Sequence, residues 1–131
     1  MNLKPGWRFL ASVLLACAFS LQAQTPPRHA MTFEDLVAMQ RVGEPQISPD
    51  GRFVAYSVGT AEMDANRIAR NIWVVSTAPG SQPRQLTQTG HDTRPQWSPD
   101  GKKTAFLSSR EGVPQIYVMP AQGGNAAKLT S

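Results

Sequence analysis

The chain has 131 residues, 13 Lys and Arg against 9 Asp and Glu, one Cys and 40% hydrophobic residues. One cysteine excludes an internal disulfide framework and a cysteine metal site, and the two separated histidines, His29 and His91, form no metal site either. The net charge of +4 gives no phosphate-binding footprint and implies no nucleic acid partner, because the charges alternate in sign and Lys102-Lys103 is the sole basic doublet.

At the start, Lys4 and Arg8 precede an apolar run, Phe9 to Leu21, that ends at Leu21-Gln22-Ala23. This is the pattern of a secretory signal peptide, with cleavage expected after Ala23 and export to the periplasm or the medium. The run is 13 residues long, shorter than the roughly 20 that a spanning helix needs, so no stable membrane span is expected. Removing it takes two of the 13 basic residues and leaves 11 against 9 acidic, a net charge of +2. A second pattern overlaps the first. Leu14-Leu15-Ala16-Cys17 resembles a lipoprotein processing site that would leave Cys17 lipid-modified, although apolar Ala18-Phe19 stands where a polar tether would be expected.

Residues 24–42 read as a linker and one short helix. Pro26-Pro27 opens the linker, and Thr32 can cap a helix over Phe33 to Gln40 with Glu34 and Asp35 in its first turn. Phe33, Leu36 and Val37 share a face that two turns cannot keep stable in water, so it should lie against a larger body. Gly43 and Pro45 are expected to end the helix.

Beyond it the chain repeats itself. Glu44-Pro45-Gln46-Ile47-Ser48-Pro49-Asp50-Gly51 recurs as Arg94-Pro95-Gln96-Trp97-Ser98-Pro99-Asp100-Gly101, an offset of 50 residues. Ile72-Trp73-Val74-Val75 and Leu86-Thr87 recur as Ile116-Tyr117-Val118-Met119 and Leu129-Thr130. A period of about 40 to 50 residues with several short strands per unit marks β-propeller blades. The first blade, 43–90, has strands expected near Pro45 to Ile47, Phe53 to Val58, Ile72 to Val75 and Arg84 to Leu86. The second, 91–131, has them near Pro95 to Trp97, Thr104 to Leu107, Ile116 to Met119 and Ala127 to Leu129. Gly59 to Arg70 reads as a solvent-facing loop, six residues longer than its counterpart at Arg110-Glu111-Gly112.

The fold class is therefore all-β: two four-stranded blades of an incomplete propeller, preceded by a signal peptide and a short helix. Propellers close with about 4 to 8 blades, and the next Ser-Pro-Asp-Gly would fall some 15 residues past Ser131. The chain thus reads as an N-terminal fragment.

Pro95-Gln96-Trp97-Ser98-Pro99-Asp100-Gly101-Lys102 with Ala105-Phe106, Gln115-Ile116-Tyr117-Val118-Met119 and Lys128-Leu129-Thr130 resembles the propeller repeat shared by TolB-type periplasmic proteins and serine peptidases of the prolyl oligopeptidase family. The lead-in Met31-Thr32-Phe33-Glu34-Asp35-Leu36-Val37-Ala38-Met39-Gln40-Arg41-Val42-Gly43 resembles the start of exported dipeptidyl aminopeptidases and acylaminoacyl peptidases of that family. The resemblance implies a propeller that caps an α/β-hydrolase domain and admits peptides to its serine. The partners it implies are peptides and that absent domain or, in a TolB-like protein, proteins of the cell envelope. The hydrolase nucleophile would sit in Gly-x-Ser-x-Gly, and no such motif occurs in this sequence.

Ser48, Asp50, Ser98, Asp100 and His91-Asp92 invite assembly into a triad. A nucleophilic serine needs a positioned base and an oxyanion hole, whereas these serines precede proline in a turn that recurs with the fold. Ser48, Pro49, Asp50 and Gly51, like Ser98, Pro99, Asp100 and Gly101, are accordingly read as structural turns. No catalytic residue, cofactor or metal is expected in this chain. His91 and Asp92 are expected to bond between blades, and Trp73, Trp97, Phe106 and Tyr117 to pack the core.

Overall fold

Thr32 and Asp35 build a reciprocal cap: the Thr32 hydroxyl accepts from the Asp35 N–H at 3.2 Å, and the Asp35 carboxylate accepts from the Thr32 N–H at 2.9 Å. They start helix α1, Phe33–Ala38, which stops two residues before the expected Gln40 because Met39 turns extended (φ −65°, ψ 124°). Gly43 and Pro45 do not terminate it. The chain pairs with the next strand from Arg41 onward, and both residues lie inside β1. The helix rests against β2 and Val37 is half-buried, but Phe33 remains 62% exposed and Leu36 46%, so the apolar face is only partly covered.

The computed structural model describes residues 29–130, and Met31 onward form one unit. The expectations for the leader, the Ala23 cleavage site and Cys17 lie outside the described residues. No helix among them is long and apolar enough to cross a membrane.

Two antiparallel four-stranded sheets follow, each in sequential order. The first holds β1 (Arg41–Ile47), β2 (Phe53–Glu62), β3 (Arg67–Ser76) and β4 (Arg84–Gln85); the second holds β5 (Asp92–Trp97), β6 (Lys103–Ser108), β7 (Gln115–Pro120) and β8 (Ala127–Lys128). The expected loop Gly59 to Arg70 is corrected: β2 and β3 continue in register through Gly59↔Arg70 to Glu62↔Arg67, leaving only Met63 to Asn66 as the turn. Asn66 supplies the left-handed backbone, at φ 47°. Gly59 makes the extension fit, since a Cβ there would stand 2.9 Å from Ile68 Cγ2. Arg67 and Glu62 close its end with a 2.7 Å ion pair.

Burial along β6 alternates strictly, with Thr104, Phe106 and Ser108 inside. Phe106, Tyr117 and Met119 from the second sheet enclose Ile72 from the first, with Leu86 and Ala126 at the margin. The core is thus the seam between the blades. Burying each such side chain contributes about 1.5–3 kcal/mol. Trp73 and Trp97, expected in the core, are only half-buried.

Candidate functional site

Each Ser-Pro-Asp-Gly turn is tied by its own side chains. The Ser48 hydroxyl donates to Asp50 at 2.6 Å and accepts from the Phe53 N–H at 2.9 Å, while Asp50 also accepts from the Arg52 N–H at 3.1 Å. Ser98, Asp100, Lys103 and Lys102 repeat the pattern at 2.6, 2.9 and 3.0 Å. Gly51 and Gly101 close the turns at φ 70° and 68°. Both hydroxyls therefore bond a carboxylate two residues away, while His91 stands against Arg67, its Nε2 3.1 Å from Nη1. Nothing in this arrangement activates a nucleophile.

The hydrogen bonds from serine and from the backbone hold the Asp50 and Asp100 carboxyls below their ordinary value of 3.8. A folded value below the unfolded one means the stabilisation is complete above the unfolded value and is lost as pH falls from there through the folded value. The urea midpoint of the wild-type chain should therefore drop more steeply as pH falls below about 5 than that of Asp50→Asn/Asp100→Asn. Parallel pH curves would contradict it.

The blades meet along β1 and β5. Both strands carry a bulge at the same repeat position, where Glu44 (φ 55°) and Arg94 (φ 53°) adopt left-handed backbone just before a proline. Such strain costs of order 1–3 kcal/mol for a non-glycine residue. The Glu44 carboxylate spans the seam and offsets it, accepting from the Arg94 N–H at 2.8 Å and the Ser57 hydroxyl at 3.1 Å. Trp97 donates its indole N–H to the Gln46 carbonyl at 2.9 Å, and its ring lies 6.5 Å from that of Phe53. On the far strand, the Arg70 N–H bonds the Gly90 carbonyl at 2.9 Å beside an Arg70–His91 bridge.

His91 thus joins the blades, and Asp92 does so as well: fully buried, it accepts from the Thr89 hydroxyl at the end of the first blade at 2.6 Å and from Arg110 of its own blade at 3.0 Å. The Arg110 guanidinium lies 4.2 Å over the Tyr117 ring. Sequence reading missed Glu44, Arg94 and Arg110. Opposite charges before the two equivalent prolines were a signal for the first pair, but Arg110 had none.

Each blade also has a bare face. Ala55, Ser57, Ile72 and Val74 are buried under the second blade, yet their repeat equivalents Ala105, Leu107, Ile116 and Val118 are only partly covered, Ile116 being 37% exposed. On the other side, Val54, Tyr56, Trp73 and Val75 are half-exposed where their equivalents Thr104, Phe106, Tyr117 and Met119 are buried. The two blades form an open, unclosed arrangement. No group of His, Cys, Asp or Glu among the described residues is placed to hold a metal ion.

Residues 32–131 match the family profile described as the TolB beta propeller domain. An uncharacterized peptidase, YuxL, of Bacillus subtilis is 38% identical over 101 residues, which is 76% of this chain and 15% of that protein. Dipeptidyl-peptidase 5 of Porphyromonas gingivalis is 32% identical over 117 residues, 88% of this chain and 17% of its own length. The acylaminoacyl peptidase of Pyrococcus horikoshii superposes with a TM-score of 0.59 at 22% identity, over 72% of this chain and 14% of that one, a likeness of fold alone. This chain therefore spans about a sixth of the length of the two peptidases, and with the profile covering its whole blade region it belongs to the TolB beta propeller domain family.

Proposed function

We propose that the chain is the N-terminal propeller portion of an exported serine peptidase of the prolyl oligopeptidase type. In this reading a leader is removed after Ala23, residues 24–42 lead into the ring, and 43–90 and 91–131 are its first two blades. Further blades close it, and an α/β-hydrolase domain outside this chain cleaves peptides that the ring admits. The observation that carries the reading is the similarity to two peptidases across 76% and 88% of the chain. The bare blade faces agree with it, because Ile116 and Val118 occupy positions that are buried wherever a neighbouring blade is present. Positive Lys4 and Arg8 before the apolar run support export.

The family profile also favours a second reading, a TolB-like propeller that binds envelope proteins without catalysis. Translating the coding DNA past Ser131 separates the two. More Ser-Pro-Asp-Gly blades followed by Gly-x-Ser-x-Gly, Asp and His are expected, and the protein so encoded should cleave a chromogenic dipeptide substrate that the 131-residue chain alone leaves intact. Blades followed by a stop codon would overturn the peptidase reading.

A further inference from the structure

We propose that the cleft between the blades, at the end bearing the β2–β3 hairpin, is a binding site for a terminal carboxylate carried beside an apolar side chain. The cleft holds about 440 Å³, within the roughly 300–1,000 Å³ of small-ligand sites. It is large enough for one or two residues of an extended peptide end. Ile68 and Pro114 give it apolar walls, while Arg70, Arg94, Thr93 and Ser109 bring cations and hydroxyls, and no carboxylate lines it.

The charges around it are unevenly matched. Arg67 is neutralised by Glu62 at 2.7 Å. Arg94 approaches Glu44 only through Nε at 3.6 Å, and its side chain is 70% exposed. Glu44 already accepts from the Arg94 N–H and the Ser57 hydroxyl. Arg70 has no side-chain hydrogen bond or ion pair among the described residues, although its backbone is clamped by the pairing with Gly59 and by the Gly90 carbonyl. The fixed backbone anchors this side chain at the cleft, and the planar fork of its unpaired guanidinium matches a carboxylate with two parallel hydrogen bonds. The Thr93 and Ser109 hydroxyls, which also line the cleft, have no hydrogen-bond partner among the described residues and can donate to a remaining carboxylate lone pair or accept from a peptide N–H. Apolar walls beside this cation favour an amphiphilic acid over a bare inorganic anion.

The site goes beyond the proposed peptidase role, because it lies in the propeller and binds whether or not a hydrolase domain is attached. Only the natural source of the carboxylate, a peptide C-terminus, rests on that role. The test is an NMR titration of the complete 131-residue chain with N-acetyl-leucine, N-acetyl-leucinamide and inorganic phosphate. The acid should shift the Gly90, Thr93 and Ser109 amide signals saturably, and the amide and phosphate should bind at least about tenfold more weakly. Arg70→Gln should weaken the acid about tenfold with an unchanged melting temperature, while Arg84→Gln, at the opposite end of the blades, should leave it as it was. Equal binding of acid and amide, phosphate binding as tight as the acid, no saturable shift, or an unaffected Arg70→Gln would each overturn the site. None of these results bears on whether the encoded peptidase is active, so the two readings fail separately.

Discussion

Phe106→Ala is expected to cost about 3–5 kcal/mol, the usual loss when a buried aromatic ring is truncated and its cavity cannot collapse. Phe106 is 2% exposed and packs with Tyr117, their ring centroids 6.1 Å apart. It also touches the seam that Ile72 fills from the other blade, so its loss weakens the contact between sheets as well as within one. A domain of this size has about 5–15 kcal/mol in all. The variant should therefore show a much lower urea midpoint, or no cooperative transition. Val118→Ala on the bare face of the same blade should cost much less, because that side chain is already partly in water. A loss below about 1 kcal/mol for Phe106→Ala would mean that the blades do not share a core.

The repeat made much of this legible. Ser-Pro-Asp-Gly fixes a turn by chemistry confined to six residues, so both turns and the strands flanking them could be placed from sequence. The bare faces follow too, since a lone four-stranded blade with alternating apolar positions leaves apolar faces in water unless neighbours cover them. What escaped was set by contacts remote in sequence. Polar Thr60, Glu62 and Arg67 read as loop, but ladder pairing and the space left by Gly59 keep them in strands. A proline ordinarily favours extended backbone at the residue before it, here Glu44 and Arg94. A carboxylate from one blade reaching an N–H of the next holds them left-handed instead.

The same comparison of blades explains why their hairpins differ and yields the second large effect. Asp92 and Arg110 correspond in the repeat to Val42 and Thr60. In the second blade the buried Asp92 draws Arg110 inward, and Arg110 donates from Nε to the Ser108 hydroxyl at 2.9 Å, which ends β6 at Ser108. In the first blade Val42 is 68% exposed and cannot attract a cation, and β2 runs on to Glu62. Arg110→Met should keep much of the side-chain volume but leave a fully buried carboxylate without its cation, a change that costs about 3–5 kcal/mol. Adding Asp92→Val removes the orphaned charge, so the double variant should be more stable than Arg110→Met alone, because replacing a buried ion pair by apolar groups is often neutral. Urea unfolding of the four proteins in the cycle measures this coupling. Simple additivity of the two substitutions would show that Asp92 and Arg110 act independently and that the length of the hairpin has another cause.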